Sequence, residues 1–259
     1  MLKRSLQTIT WGDPQHHLFD SIFGLASGSG FEGVEVGFRR LSQVSIKDVS
    51  ALLNKHNLKL SACHVGGNLA DLTQAADERS ALETVLDYLV GLNCEYLIYS
   101  GLNVGDDKEL DAEITRIRTL AAGCADQGVM LLYHNHDWEF RDGQRIWKRL
   151  QAAAIEHLGF APDLGWAVKG GHEMQALLEE IGSEVKVLHF KDFGSWEEGQ
   201  NTVHLGTGVV DFAPAWQWLA AQVNRDIWLT AEQDHAEHND VACRTNGAYL
   251  AAQIAELGG

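Results

Sequence analysis

LETVLDYLVGLNCEYLIY, residues 82–99, decides how the fold is read. Leu82, Val85, Leu86, Leu89 and Val90 recur at i, i+3, i+4, i+7 and i+8, the spacing of one apolar helix face. Gly91 stands where the stripe stops, as a helix C-terminal glycine does. A β-rich run, Tyr96–Tyr99, follows. The unit repeats downstream: Leu110, Ile114, Ile117, Ala121 and Cys124 form a second stripe, then come Gly128 and the run Val129–Tyr133. Further out, Met174, Leu177, Leu178 and Ile181 make another helical face, and short β-rich runs recur at Ser5–Thr10, Gly33–Val36, Lys59–Cys63, His157–Phe160, Val185–Phe190 and Ile227–Ala231.

Strand runs that alternate with helical stripes imply parallel βαβ units. Eight such units in 259 residues predict an α/β fold, a (β/α)₈ TIM barrel of about 250 residues, over an open doubly wound sheet. A dinucleotide-binding sheet needs a glycine-rich turn that opens a helix. Here Gly28-Ser29-Gly30 is followed by Gly33, which leads into a strand. With three prolines and no linker-like tract, residues 1–259 read as a single domain.

The formal charge of −16 repels polyanions, so neither duplex nucleic acid nor an anionic membrane is expected as a partner. The four cysteines, Cys63, Cys94, Cys124 and Cys243, lack metal-finger spacing and lie in apolar stretches, as free core thiols of a reducing compartment do. The N-terminus lacks an apolar signal core, and no apolar run reaches the ~20 residues of a membrane span. A cytoplasmic protein is the expectation.

Active-site groups of such barrels come from the C-terminal ends of strands. Acids and histidines do collect there. Glu35 sits inside the second run, where an unpaired buried carboxylate would cost several kcal/mol and so calls for a partner or a cation. A single histidine at a strand end more often makes a structural hydrogen bond than a ligand bond. Coincidence changes that weighting. Glu139, Asp163, His189 and Glu232 follow or end strands five to eight, and four such groups can converge above the barrel. Three carboxylates and one imidazole suit one divalent ion, Mn²⁺, Mg²⁺, Co²⁺ or Zn²⁺.

The stretches Tyr133-His-Asn-His-Asp-Trp-Glu-Phe140, Asp163-Leu-Gly-Trp166, Val187-Leu-His-Phe-Lys-Asp192, Leu205-Gly-Thr-Gly-Val-Val-Asp211 and Ala231-Glu-Gln-Asp234 carry a further signal. As an ordered set, the sequence resembles the sugar phosphate isomerase/epimerase superfamily, the xylose isomerase-like metal barrels. The resemblance implies one divalent metal on Glu139, Asp163, His189 and Glu232, with His134 or His136 as alternatives for the fifth-strand ligand. It implies catalytic roles for His136, Glu232 and Glu139, with His136 or Glu232 as the base. His64, Lys191, Trp11, Glu35 and His134 are placed with the substrate, and Trp138 and Trp166 as apolar walls. The implied substrate is small and polyhydroxylated: a sugar, keto-sugar or cyclitol. The implied chemistry is proton abstraction next to a carbonyl through a metal-stabilised enediolate, giving isomerisation or epimerisation. Elimination by an inosose-type dehydratase or keto-sugar lyase is the alternative. A DNA-repair barrel of the endonuclease IV type would need a basic face, which the charge opposes. A non-catalytic sugar-binding subunit would be expected to lack the ligands. A homo-oligomer is compatible with the resemblance.

Overall fold

The structure, a computed structural model, describes residues 1–69, 77–197 and 201–257. Eight parallel strands form the barrel wall: β1 (Leu2–Gln7), β2 (Gly33–Gly37), β3 (Lys59–Gly66), β4 (Tyr96–Ser100), β5 (Met130–His134), β6 (Leu158–Phe160), β7 (Val187–Phe190) and β8 (Ile227–Ala231). They pair in the order β6-β5-β4-β3-β2-β1-β8-β7. Bridges from Phe160 to Val185 and from Asp163 to His189 bring β6 and β7 together and close the ring. The expected fold is the observed one.

Ten helices accompany the strands among the described residues: α1 (Phe19–Gly28), α2 (Phe38–Leu41), α3 (Ile46–Lys55), α4 (Glu78–Gly91), α5 (Asp107–Ala125), α6 (Arg145–Ala152), α7 (Leu164–Lys169), α8 (Met174–Ile181), α9 (Ala213–Ala220) and α10 (Asn239–Leu257). Several start on side-chain caps that satisfy a free N–H of the first turn: Ser45 for α3, Asp77 for α4, Asp106 for α5 and Asp163 for α7. Two expectations shift. Thr8–Trp11 leaves β1 as a 3-10 turn, because the Gln7 side chain accepts from the Ile9 N–H. Gly91 is the last residue of α4, not its left-handed terminator. A Cβ there would lie 2.9 Å from Ile46, so close packing accounts for it, and Asn93 takes the positive φ of 54°. Gly128 does adopt φ +72°, as a terminating glycine would.

Successive strand residues face opposite sides of the sheet. Those facing the helices, among them Val34, Cys63, Leu97, Leu131, Leu188 and Leu229, join one large apolar core. Those facing the barrel axis split by height. Ala62, Ile98, Leu132, Ala161, Val187 and Trp228 form a separate apolar plug. Two residues further along their strands stand His64, Ser100, His134, Asp163, His189 and, past Thr230, Glu232. The same step takes Ser5 to Gln7 and Gly33 to Glu35. Each strand thus delivers one polar group to the top of the plug.

Candidate metal centre and active-site pocket

Ligand atoms of His134, Asp163, His189 and Glu232 lie within 4.8 Å of one another, and all four residues are buried. The Asp163 Oδ1 caps α7 by accepting from the Trp166 N–H at 2.9 Å. Its Oδ2 is buried without a hydrogen-bond partner. An orphaned carboxylate oxygen beside two imidazoles and a second carboxylate is a donor set that fits a divalent cation. His134 Nδ1 contacts the Ala161 carbonyl oxygen at 3.2 Å, which leaves Nε2 for the cluster. His189 Nδ1 meets Glu232, while its Nε2 lies 2.9 Å from Glu35 Oε2. A carboxylate behind a ligand histidine orients the ring and raises its basicity.

Glu35 therefore finds its partners. Its Oε1 accepts from Gln7 Nε2 at 2.7 Å and faces His64 Nδ1 at 3.1 Å. His64 Nε2 in turn meets Ser100 Oγ at 2.6 Å. The chain Ser100–His64–Glu35–His189 links the cavity wall to this four-residue group.

The electrostatics follow from this packing. Burial works against a charged His189, yet Glu35 and Glu232 raise its pKa to about 10. Burial raises Asp163 to about 7. Glu232 would be raised by burial too, but Lys191 and His189 hold it well below the usual carboxylate range. Lys191 Nζ sits 3.0 Å from Glu232 Oε1, 3.0 Å from Asp234 Oδ1 and 3.7 Å from Asp163 Oδ2. Those carboxylates outweigh burial and keep it cationic. His136 is pushed down to about 3, first by burial and then by Lys191, so it is neutral at pH 7. Its ring stacks on Trp138 with centroids 4.1 Å apart.

A cavity of about 610 Å³ opens over the cluster. His64, Ser100, His134, His136, Trp166, Lys191 and Glu232 line its inner part, and Asp13, Arg39, Arg40 and His235 also face it. Of the residues expected at the site, these walls gather His64, His134, His136, Lys191 and Glu232, with Glu35, Asp163 and His189 directly behind.

Glu139 and Trp11 fall elsewhere. Glu139 follows β5 on a 3-10 turn, Trp138–Phe140. Its Oε1 accepts from the hydroxyl of Tyr133, a residue facing away from the axis, and its Oε2 from the His136 N–H at 2.8 Å. The structure places it outside the four-residue group, with His134 as the β5 member. The reason is strand parity: from Leu132, the next axial position is His134. Burial lifts Glu139 to about 7. Trp11 packs on the outer core and does not line the cavity.

Sequence reasoning missed Gln7, Ser100 and Asp192. The first two were detectable by stepping two residues up their strands. Asp192 accepts from the N–H groups of Phe193, Gly206, Gly208 and Val210. It thereby fixes the loop whose glycines the sequence shows but whose anchor it does not.

A family model described as a xylose isomerase-like TIM barrel matches residues 23–253. The chain is 22% identical to an inosose dehydratase of Geobacillus kaustophilus (strain HTA426), over 85% of this chain and 82% of the relative. Among solved structures it resembles a sugar phosphate isomerase/epimerase of Parabacteroides distasonis, with a TM-score of 0.80 and 17% identity over 98% and 95% of the two chains. It also resembles the IolI protein with a bound zinc atom, with a TM-score of 0.79 and 13% identity over 98% and 99%. Among the described residues no helix is long and apolar enough to cross a membrane.

Proposed function

The chain belongs to the xylose isomerase-like TIM-barrel family, and from that premise we propose that it is a divalent-metal-dependent isomerase or epimerase of a small polyhydroxylated carbonyl compound. The observation that carries this reading is the buried His134, Asp163, His189 and Glu232 group at the floor of a substrate-sized cavity, with Asp163 Oδ2 lacking a hydrogen-bond partner. A divalent cation held by these four supplies the polarisation that makes a C–H next to a carbonyl acidic enough to lose its proton.

The surrounding side chains take the remaining tasks. Lys191, fixed as a cation by three carboxylates, offers a positive charge to a substrate oxygen. His136, seated on Trp138 in the cavity wall with its Nδ1 buried and without a hydrogen-bond partner, is the imidazole placed to take or return a proton there. When His64 carries its proton on Nδ1, facing Glu35, its Nε2 accepts from Ser100, whose hydroxyl oxygen keeps lone pairs to accept from a substrate hydroxyl. Trp166 contributes an apolar wall to the cavity. Glu139 holds the backbone of His136 and so positions that ring.

Dehydration is the second reading, favoured by the inosose dehydratase relative that spans most of the chain. The same proton abstraction, followed by loss of a β-hydroxyl as water, would give it.

Incubation of the Mn²⁺-loaded protein with ketoses, aldoses and inososes in D₂O tests both. Isomers carrying solvent deuterium support the first reading; loss of water supports the second. Absence of any metal-dependent exchange or elimination across the panel would remove both. Asp163→Asn is expected to abolish the reaction.

A further inference from the structure

The outer part of the cavity holds a feature that carbonyl chemistry does not use. Arg39 and Arg40, on the short helix α2 that follows β2, both line it. Arg40 Nε donates to Asp13 Oδ1 at 2.7 Å, so one of the two charges is matched. Arg39 is exposed, and among the described residues its guanidinium makes no hydrogen bond or ion pair. Every other arginine of the chain has such a partner. This occurs in a chain with 36 acids against 20 Lys and Arg, where acidic partners are plentiful.

We propose that Arg39, supported by Arg40, is an anion subsite that grips a carboxylate or phosphate at the end of the substrate remote from the metal cluster. A guanidinium presents paired N–H donors that match two oxygens of such a group. The neighbouring Asp13 and Arg40 neutralise each other, which leaves a net positive charge at the rim. The inner cationic groups, Lys191 and His189, are already matched by Glu35, Glu232 and Asp234, so the cation left for a substrate anion lies outward. The substrate class is thus an anionic polyhydroxylated carbonyl compound. The inference rests on reading this cavity as the substrate site.

The test is calorimetry with the Mg²⁺-loaded protein and three matched probes: a ketohexose, its terminal phosphate ester, and the keto acid of the same chain length. At least one anion is expected to bind ten-fold or more tighter than the neutral sugar. Arg39→Gln is expected to weaken that anion about 10- to 100-fold, as loss of a charged hydrogen-bonding pair does, and to leave the neutral sugar within about two-fold. Arg39→Lys keeps the charge without the fork and should fall between. Preference for the ester or the acid identifies which anion the subsite serves. The proposal is overturned if neither anion outbinds the neutral sugar, or if Arg39→Gln binds both as the parent does. Repeating the titrations with Asp163→Asn separates the two readings. Arg39-dependent anion binding that persists there supports the subsite even if metal-dependent turnover is never found. Loss of turnover with no Arg39 dependence removes the subsite alone.

Discussion

Replacing His134 with glutamine and, separately, Glu139 with glutamine sets the two candidate β5 ligands against each other. A four-ligand protein zinc site is worth about 10–16 kcal/mol, or roughly 2.5–4 kcal/mol per ligand if shared evenly. At about 1.4 kcal/mol per decade, loss of His134 should weaken metal binding by about 10²–10³-fold. Among the described residues Glu139 hydrogen-bonds to the Tyr133 hydroxyl and to nearby backbone N–H groups, outside the four-residue group, so Glu139→Gln should change metal affinity by less than about three-fold. A glutamine keeps an acceptor oxygen there, and stability at pH 5, where the parent side chain is largely protonated, should move by no more than ~2 kcal/mol. Competition between the protein and a fluorescent chelator for Zn²⁺ gives the affinities, and circular dichroism confirms that both variants fold. If Glu139→Gln lost the metal while His134→Gln kept it, the parity argument would be refuted.

Four further outcomes are expected. Glu35→Gln removes the carboxylate behind His189 and should cost about 10- to 100-fold in metal affinity, read by the same competition. Gly165→Ala would put a Cβ 2.1 Å from the Lys191 carbonyl oxygen, so α7 must shift with its cap Asp163; urea unfolding should show a loss of at least ~1–3 kcal/mol, with weaker metal binding. Glu139 has its pKa raised from 4.5 to about 7, so its contribution to stability is full below pH 4.5 and is lost as pH rises through 7, by about 3 kcal/mol; urea unfolding at pH 5 and pH 8 should show this in the parent and much less in Glu139→Gln. Burial lifts Cys94 and Cys124 from 9 to about 12, so stability they contribute below pH 9 is lost toward pH 12, and neither thiol should react with iodoacetamide at pH 8 until the protein unfolds.

The barrel was legible because its signals are local and repeated. The run Tyr96–Tyr99 and the stripe from Leu82 to Val90 each declare their period within a dozen residues. What the sequence could not supply was the height at which each strand leaves the wall. Thr8–Thr10 reads as strand, yet one side-chain hydrogen bond from Gln7 turns it aside. The same limit explains Glu139. The segment HNHDWEF offers four groups able to bind a cation within six residues, His134, His136, Asp137 and Glu139, and once the chain leaves β5 the two-residue period no longer says which one points inward. Asp163, His189 and Glu232 were nameable because each lies where that period still holds. Arg39 gave no signal, since an unpaired arginine is recognised only when every other partner has been located.

Because a single carboxylate, Glu35, touches both His64 and His189, the cavity wall and the four-residue group beneath it share one hinge pin. On the proposed function, altering His189 to favour a different ion would also turn His64, the ring that the cavity presents to substrate. Selectivity for ion and for sugar would then drift together along a mutational series, and an engineer seeking to separate them would have to begin at position 35.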